Sequence, residues 1–372
     1  MKKVDTIIVG MGIAGICYAE TLHQNKKSFY VIDNKKPGSS KIAAGIFNPT
    51  VLKRYNMTWN GEEFHKNAII FFKKIENKYK NQIIFENDIL KAFSSFSDQN
   101  NWAVASKKPV LKEFLDSKIH TKKIKGVLTD FGYGLVKKCG RISTLNLINE
   151  FKNNLNDNYL NRDFDFSKLF SDNKKIVYGN ILAENIVFCE GYGIISNPFF
   201  KHLPVNGSKG EFLIVKIPNL NLKQIIKRSS IFVMPLGNQI YWVGATYDNF
   251  DKKNKPTQLK KQWLIEKLES IIMESYKIIE HKASIRPSTI DRRTIIGSHP
   301  KCKNIYLLNG MGSRGILLAP TLSYWLYDYT TNKTMLEQEE FRENPFHLGG
   351  IYFYNLDGSQ LLASCLLLKV LC

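Results

Sequence analysis

Gly10-Met11-Gly12-Ile13-Ala14-Gly15 constrains this chain more than any other segment. It follows a short β-branched run, Val4 to Val9, and opens a helical stretch, Ile13 to Gln24. Ser28 to Ile32 then reads as a second strand ending in Asp33, which stands 18 residues after Gly15. This is a β-α-β unit of about 30 residues with the G-x-G-x-x-G spacing. Gly10 permits the tight turn, Gly12 lets backbone approach a pyrophosphate, and Gly15 lets the helix pack on the strand. The start of the helix offers free N–H groups and positive dipole to phosphates. Asp33 can accept hydrogen bonds from a ribose. The alternative is a fortuitous glycine turn. NAD and FAD both use this fingerprint, so the motif alone leaves the choice between them open.

The chain has 372 residues, with 44% apolar and 12% aromatic residues, which excludes intrinsic disorder. That length suggests two domains with ample core. No apolar run reaches the ~18 residues of a membrane span, and the late run Leu361 to Leu371 carries Ser364 and Lys369. Met1-Lys2-Lys3 leads straight into the first strand without a signal-peptide core, so the expected location is cytoplasmic. The six cysteines are scattered and form no CxxC pair, which fits reduced thiols and argues against a zinc site or a disulfide scaffold. The seven histidines show no ligand spacing, so no metal is expected.

There are 53 basic against 33 acidic side chains, a formal charge of +20. The lysines are spread evenly, as in Asn25-Lys26-Lys27 and Lys252-Lys253-Asn254-Lys255, which reads as lysine filling solvated faces. The other reading is a polyanion partner such as RNA, although no RNA-recognition signature with interleaved aromatics stands out.

Further along, Glu62 to Tyr79, Ser143 to Leu155, Lys260 to Tyr276 and Ile316 to Tyr327 have helical spacing. Residues 81–136 alternate short apolar runs with polar turns. Ile176 to Tyr178, Asn185 to Cys189, Phe212 to Val215, Ser230 to Met234, Gln239 to Val243 and Asn304 to Leu308 read as strands. No internal repeat is present. β-α units interrupted by strand-rich blocks suggest a nucleotide domain with a second domain inserted.

Five later segments carry a resemblance. They are Ser40-Lys41-Ile42-Ala43-Ala44-Gly45-Ile46-Phe47-Asn48-Pro49; Asn185 to Gly191 with Asn197-Pro198; Tyr241 to Thr246; Ser284-Ile285-Arg286-Pro287 with Asp291, Ile296 and Gly297; and Asn309-Gly310-Met311-Gly312-Ser313-Arg314-Gly315 running to Pro320. In this order, and over residues 4–330, they resemble the D-amino-acid oxidase / glycine oxidase family of flavoenzymes, to which the flavin domain of the tRNA wobble-uridine modification enzyme also belongs. The resemblance implies an α/β fold: a Rossmann-type FAD-binding domain with an inserted α+β substrate domain on a mixed or antiparallel sheet. It places the FAD domain at 1–55, 135–205 and 285–335, and the substrate domain at 56–134 and 206–284. Residues 336–372, acidic at Glu337 to Glu343 and apolar after Leu361, lie outside it as an atypical tail. A docking appendix and an altered reading-frame end are both open for that tail.

The implied cofactor is FAD, held by Gly10, Gly12, Ile13, Ala14, Gly15, Asp33, Ala43, Ala44, Gly45, Gly191, Gly310, Gly312, Ser313 and Gly315. No cysteine stands beside Arg286, where sarcosine-oxidase relatives attach flavin covalently, so noncovalent binding is expected. The implied activity is oxidation of a carboxylate-bearing amine, with hydride passing to flavin N5. Such chemistry needs orientation and charge from the protein, not a nucleophilic triad. Arg286 and Arg314 match the positions that hold the substrate carboxylate, for which guanidinium is well shaped. An inter-domain ion pair is the alternative for Arg286, and a loop-ordering bond the alternative for Arg314. Phe232 stands where glycine oxidase has a substrate-facing tyrosine, which puts glycine itself in doubt as substrate. Tyr241 reads as sheet core, and Asp291 as the holder of its own turn. Two other function classes stay open: oxidation of a carboxymethylaminomethyl group on tRNA, and a non-catalytic flavoprotein. The electron acceptor and the oligomeric state are not fixed by the sequence.

Overall fold

The computed structural model describes residues 1–331 apart from 35, 37 and 173, and the backbone of 332, 351–354 and 360–361. The tail expected from 336 onward therefore falls mostly outside the described residues. Two short strands of it, Ile351–Tyr354 and Gln360–Leu361, extend the first sheet.

That first sheet is mixed and ten-stranded. Its centre is parallel: Tyr159–Asn161, Phe29–Asp33, Lys2–Val9, Ile181–Phe188 and Ile305–Asn309 follow one another, with antiparallel Thr294–Ser298 beyond. Both faces are covered, which explains why Lys2–Val9 shows an almost unbroken apolar run instead of alternation. Ile8 packs on one side with Ile16, Tyr18 and Leu322, whereas Ile7 and Val9 pack on the other with Ile186 and Phe188. The helices Ile13–Gln24 and Gly315–Asn332 lie together on the first side.

The second sheet has seven strands in the order Lys277–Arg286, Ser208–Lys216, Ile240–Gly244, Ile231–Gly237, Ile225–Arg228, Ile89–Ala92, Tyr133–Val136. Its pairings are antiparallel except between Ile225–Arg228 and Ile89–Ala92. One face buries Leu213, Val215 and Val243 under Leu264 and Leu268 of the helix Gln258–Glu269. The other carries Phe212, Met234 and Trp242, packed with Trp102, Tyr55 and, from the first sheet's loop, Ala44 and Ile46. The architecture is the mixed α/β arrangement that the sequence implied.

Some boundaries differ. The helix expected over Lys260 to Tyr276 stops at Glu269. Ile271 and Ile272 continue its apolar spacing, but their burial comes from pairing with residues 127 and 128. Residues 277–286 then form an edge strand that periodicity did not reveal. The strand ending at Phe188 starts at Ile181, four residues earlier than the sequence suggested.

Candidate functional site

The dinucleotide cradle forms where three segments of the first sheet converge. The Gly10 N–H donates to the Ile32 carbonyl at 2.8 Å, and the Met11 N–H donates to Asp33 Oδ1 at 2.9 Å. Asp33 is thereby aimed at the glycine turn, with Lys41 Nζ 3.7 Å from its second oxygen. Burial raises the Asp33 pKa against the opposing pull of the Met11 N–H and Lys41. Gly12 caps the helix without any side-chain bond, and the Ser40 hydroxyl accepts from the Ile13 N–H at 3.0 Å. A Cβ on Gly15 would lie 2.0 Å from the Gly10 carbonyl oxygen, so helix and strand are as close as backbone allows. Ala14 completes this first turn.

The remaining cofactor candidates close around this turn. Ala43, Ala44 and Gly45 follow the short helix Ser39–Ile42, and the Gly45 carbonyl accepts from the Ile142 N–H at 2.9 Å. Gly191 follows Glu190, whose Cα would be 3.3 Å from a Cβ on Gly10. The Gly191 carbonyl accepts from Asn309 Nδ2 at 2.9 Å, which ties this turn to the start of the terminal glycine loop. Within that loop Gly310 and Gly312 have φ of +79° and +55°, and Ser313 is exposed. Gly315 sits so close that its Cβ would be 2.9 Å from Ile13 Cγ2. A helix start whose first N–H is held only by the Ser40 hydroxyl, a half-buried acid at the second strand's end and glycines at the points of closest approach fit the diphosphate and ribose of a dinucleotide.

Arg286 and Arg314 approach from the other direction. The Gly312 N–H donates to the Pro287 carbonyl at 3.1 Å, joining the segments that carry the two arginines. Arg286 leaves the edge strand opposite Ser208 and lies across Gly210, where a Cβ would be 2.2 Å from Nη2. Its Nη1 donates to the Thr246 carbonyl at 3.2 Å, and its guanidinium sits 4.2 Å from the centroid of the Tyr247 ring. Burial lowers the pKa of both arginines, and both feel the Tyr247 hydroxyl. Neither forms an ion pair with a carboxylate among the described residues. An inter-domain ion pair is therefore not what holds Arg286. Both guanidiniums are half-buried, and a partly desolvated cation without a paired carboxylate has charge to offer an anion.

Tyr247 is the residue that sequence reasoning missed. It is placed by backbone bonds on either side: Thr246 N–H to the Glu211 carbonyl at 3.0 Å, and the reciprocal Lys209–Asp248 pair at 2.7 and 2.9 Å. Below this edge, Lys209 Nζ meets Glu211 at 3.0 Å and Asp251 at 2.7 Å, pinning the chain that follows Tyr247. Phe232 is turned toward Lys227, with Nζ 4.6 Å from its ring. A hydroxyl-bearing ring thus stands at the arginine pair although Phe232 carries none. Tyr241 is core, donating to the Leu220 carbonyl at 2.6 Å, and Asp291 holds its own turn through the Arg293 N–H.

Among the described residues no cluster of three His, Cys, Asp or Glu side chains could hold a metal ion, and no helix is long and apolar enough to cross a membrane.

Residues 5–329 match the family described as DAO, FAD dependent oxidoreductase. The chain is 28% identical over 161 residues to glycine oxidase of Bacillus subtilis, a match covering 42% of this chain and 43% of the relative. It is 26% identical over 173 residues to a tRNA 5-methylaminomethyl-2-thiouridine biosynthesis bifunctional protein of Leptospira borgpetersenii, covering 37% of this chain and 26% of that one. The chain thus spans less than half the length of these curated relatives. Its fold superposes on the crystal structure of glycine oxidase from Geobacillus kaustophilus with a TM-score of 0.75 at 16% identity, over 90% of this chain and 96% of that one. The chain belongs to the family of FAD-dependent oxidoreductases.

Proposed function

We propose that this member of the FAD-dependent oxidoreductase family oxidises an amine that carries a carboxylate. The observation that carries the reading is a pair of half-buried arginines without a carboxylate partner among the described residues, Arg286 stacked on Tyr247 and its segment tied to that of Arg314 by the Gly312–Pro287 bond. When bound, FAD supplies the acceptor for the hydride that leaves the amine's α-carbon. The chain's own residues do the positioning. Arg286 and Arg314 take the two carboxylate oxygens, and their planar donors fix the direction of the Cα–H bond. Tyr247 stacks under Arg286 and restricts its rotation. In the loop Gly310 to Gly315 the N–H groups of Gly310, Gly312 and Arg314 are taken by Asn309, Pro287 and Met311, so the remaining ones, that of Ser313 among them, would stabilise negative charge on a bound cofactor.

The cofactor-binding set is Gly10, Gly12, Ile13, Ala14, Gly15, Asp33, Ala43, Ala44, Gly45, Gly191, Gly310, Gly312, Ser313 and Gly315, and FAD is held noncovalently. Cys17, Cys139 and Cys189 are buried as free thiols, and Cys302 lies in a turn of the first sheet's far side. On the noncovalent reading, acid or heat should release intact flavin. We assign 1–55, 135–205 and 285–335 to the FAD domain and 56–134 with 206–284 to the substrate domain. The membership of the two sheets supports this, although Tyr133–Val136 and Lys277–Arg286 each run two residues across the limits. A cytoplasmic location accords with the free thiols among the described residues.

An anaerobic flavin-bleaching screen across amino acids tests the reading. Arg286→Ala should keep FAD and lose about 2–5 kcal/mol of substrate binding. Unchanged reduction kinetics in both Arg286→Ala and Arg314→Ala would exclude the clamp. If Arg314→Ala loses FAD instead, Arg314 belongs to the cofactor shell and Arg286 alone binds the carboxylate.

A second reading, in which the amine is a carboxymethylaminomethyl group on tRNA, draws on the net charge of +20 and on the tRNA-modifying relative. Bulk tRNA binding that falls steeply between low and moderate salt, together with flavin reduction by tRNA alone, would favour it.

A further inference from the structure

A cavity of about 450 Å³ is lined by none of Arg286, Arg314 and Tyr247. It lies where the helix Gly61–Tyr79, the small sheet of Ile46–Phe47, Gly140–Ile142 and Ile84–Glu86, and the segment entering Ile225–Arg228 meet. Its size is that of a small-molecule site.

The walls are held by directed bonds. Asn87 links three of them: its N–H donates to the Cys139 carbonyl at 3.1 Å, its Nδ2 donates to the Lys223 carbonyl at 2.7 Å, and the next residue's carbonyl accepts from the Ile225 N–H at 3.1 Å. His65, 9% exposed, bonds through Nε2 to the Lys138 carbonyl at 2.5 Å. A carbonyl only accepts, so Nε2 carries the proton. Burial lowers the His65 pKa, which keeps the ring neutral. His65 lines the cavity, and its Nδ1 is then a hydrogen-bond acceptor with no protein partner among the described residues.

The charges at the mouth divide into used and unused. Lys138 pairs with Glu113 at 2.8 Å, and Glu86 with Lys73 at 3.4 Å. Asp88 and Lys223, which also line the cavity, form no ion pair among the described residues. One acid and one base without an ion pair among the described residues and a neutral imidazole line the cavity together with apolar Phe47 and Ile69. A ligand matching this set carries an ammonium for Asp88 and His65, a carboxylate for Lys223 and an apolar side chain.

We propose that this cavity is a second binding site, separate from the arginine pair, for a free α-amino acid in its zwitterionic form. The site adjoins both halves of the molecule. Phe47 lies two residues beyond Gly45 of the cofactor loop, and Lys223 precedes a strand of the second sheet. Occupancy therefore bears on how the loop and that sheet meet. The proposal stands whether or not the oxidase reading does.

The test uses flavin-loaded Arg286→Ala/Arg314→Ala double variant under anaerobic conditions, titrated calorimetrically with phenylalanine of either hand. Phenylacetate and phenethylamine serve as single-charge controls. One equivalent of phenylalanine should bind, and each control should bind about tenfold weaker or less. Adding Lys223→Glu, or Asp88→Lys, should weaken phenylalanine binding at least about tenfold. The flavin content of these variants should not change, since both residues are exposed and neither belongs to the cradle. If the double variant loses flavin, wild-type holoenzyme gives the same reading: Lys223→Glu must remove one bound equivalent. No binding to the double variant, controls that bind as tightly as phenylalanine, or indifference to Lys223→Glu would each overturn the proposal. If no amine bleaches the flavin while phenylalanine still binds, the oxidase reading falls and this site remains.

Discussion

The Arg286 guanidinium lies 4.2 Å from the centroid of the Tyr247 ring, on a tyrosine that is 64% exposed. The ring therefore covers one face of the cation while its hydroxyl stays near solvent. A cation over an aromatic face gains about 0.5–2 kcal/mol. Tyr247→Phe should keep that contact and raise the Kd for substrate modestly, through the lost hydroxyl alone. Tyr247→Ala should free the guanidinium and weaken binding by about twofold to thirtyfold. Anaerobic titration of both variants separates stacking from hydrogen bonding; equal Kd values for Tyr247→Ala and wild type would remove Tyr247 from the site.

Gly210 is what allows Arg286 to lie flat. A Cβ there would stand 2.2 Å from Nη2 and 2.5 Å from Cζ, well inside contact distance. The strand itself is paired on both sides and has little freedom to move. In Gly210→Ala the guanidinium must swing away from Thr246 and Tyr247. Loss of about tenfold or more in substrate affinity is expected, at full flavin content. A variant with normal affinity would show that the carboxylate is not held in this place.

These two residues show where the sequence stops being legible. The cradle could be read because its parts are contiguous: strand, glycine turn, helix and acid follow one another within 33 residues. Arg286 and Arg314 stood out because they stand beside Pro287 and within a glycine-rich loop, in segments with a family resemblance, although the structure makes Arg286 the last residue of a strand. Tyr247 and Gly210 act only through sheet register, which sets Gly210 opposite Ser284 and within reach of the Arg286 side chain although 76 positions separate 210 from 286. No local pattern encodes that pairing. The helix end at Glu269 was misjudged for a related reason: the apolar period of Ile271 and Ile272 persists while their partners change from helix to neighbouring chain.

Glu190 makes stability pH-dependent. Burial pushes its pKa from 4.5 up to about 7, opposed only by the Asn197 amide that donates to it at 2.7 Å. A carboxyl whose folded pKa is raised stabilises the fold below its unfolded pKa, and that contribution is lost as pH rises through the folded value. The loss therefore runs from about pH 4.5 to about pH 7 and amounts to about 3 kcal/mol at most. Glu190→Gln keeps the bond from Asn197 and removes the titration. The variant should match wild type near pH 4.5 and exceed it in melting temperature at pH 8. Equal melting temperatures at pH 8 would mean that Glu190 is solvated in the native state.

Gly15 and Gly12 should fail in different ways. A Cβ at Gly15 meets the Gly10 carbonyl oxygen at 2.0 Å and its carbon at 3.1 Å, and neither backbone atom can yield. Gly15→Ala must lift the helix Ile13–Gln24 off the strand Lys2–Val9, at a cost of about 1–3 kcal/mol as overpacking. The first-turn N–H groups move with the helix, so FAD should be lost as well as apo-protein stability. A Cβ at Gly12 meets only the Ser40 side chain, with Oγ at 3.1 Å, and a hydroxyl can rotate away. Gly12→Ala should leave the apo melting temperature close to wild type while its methyl group occupies the space a pyrophosphate needs. Flavin content by absorbance and melting of the flavin-free proteins check both. Full FAD in Gly12→Ala would place the diphosphate elsewhere than at this turn, and unchanged apo stability in Gly15→Ala would contradict the close packing of helix on strand.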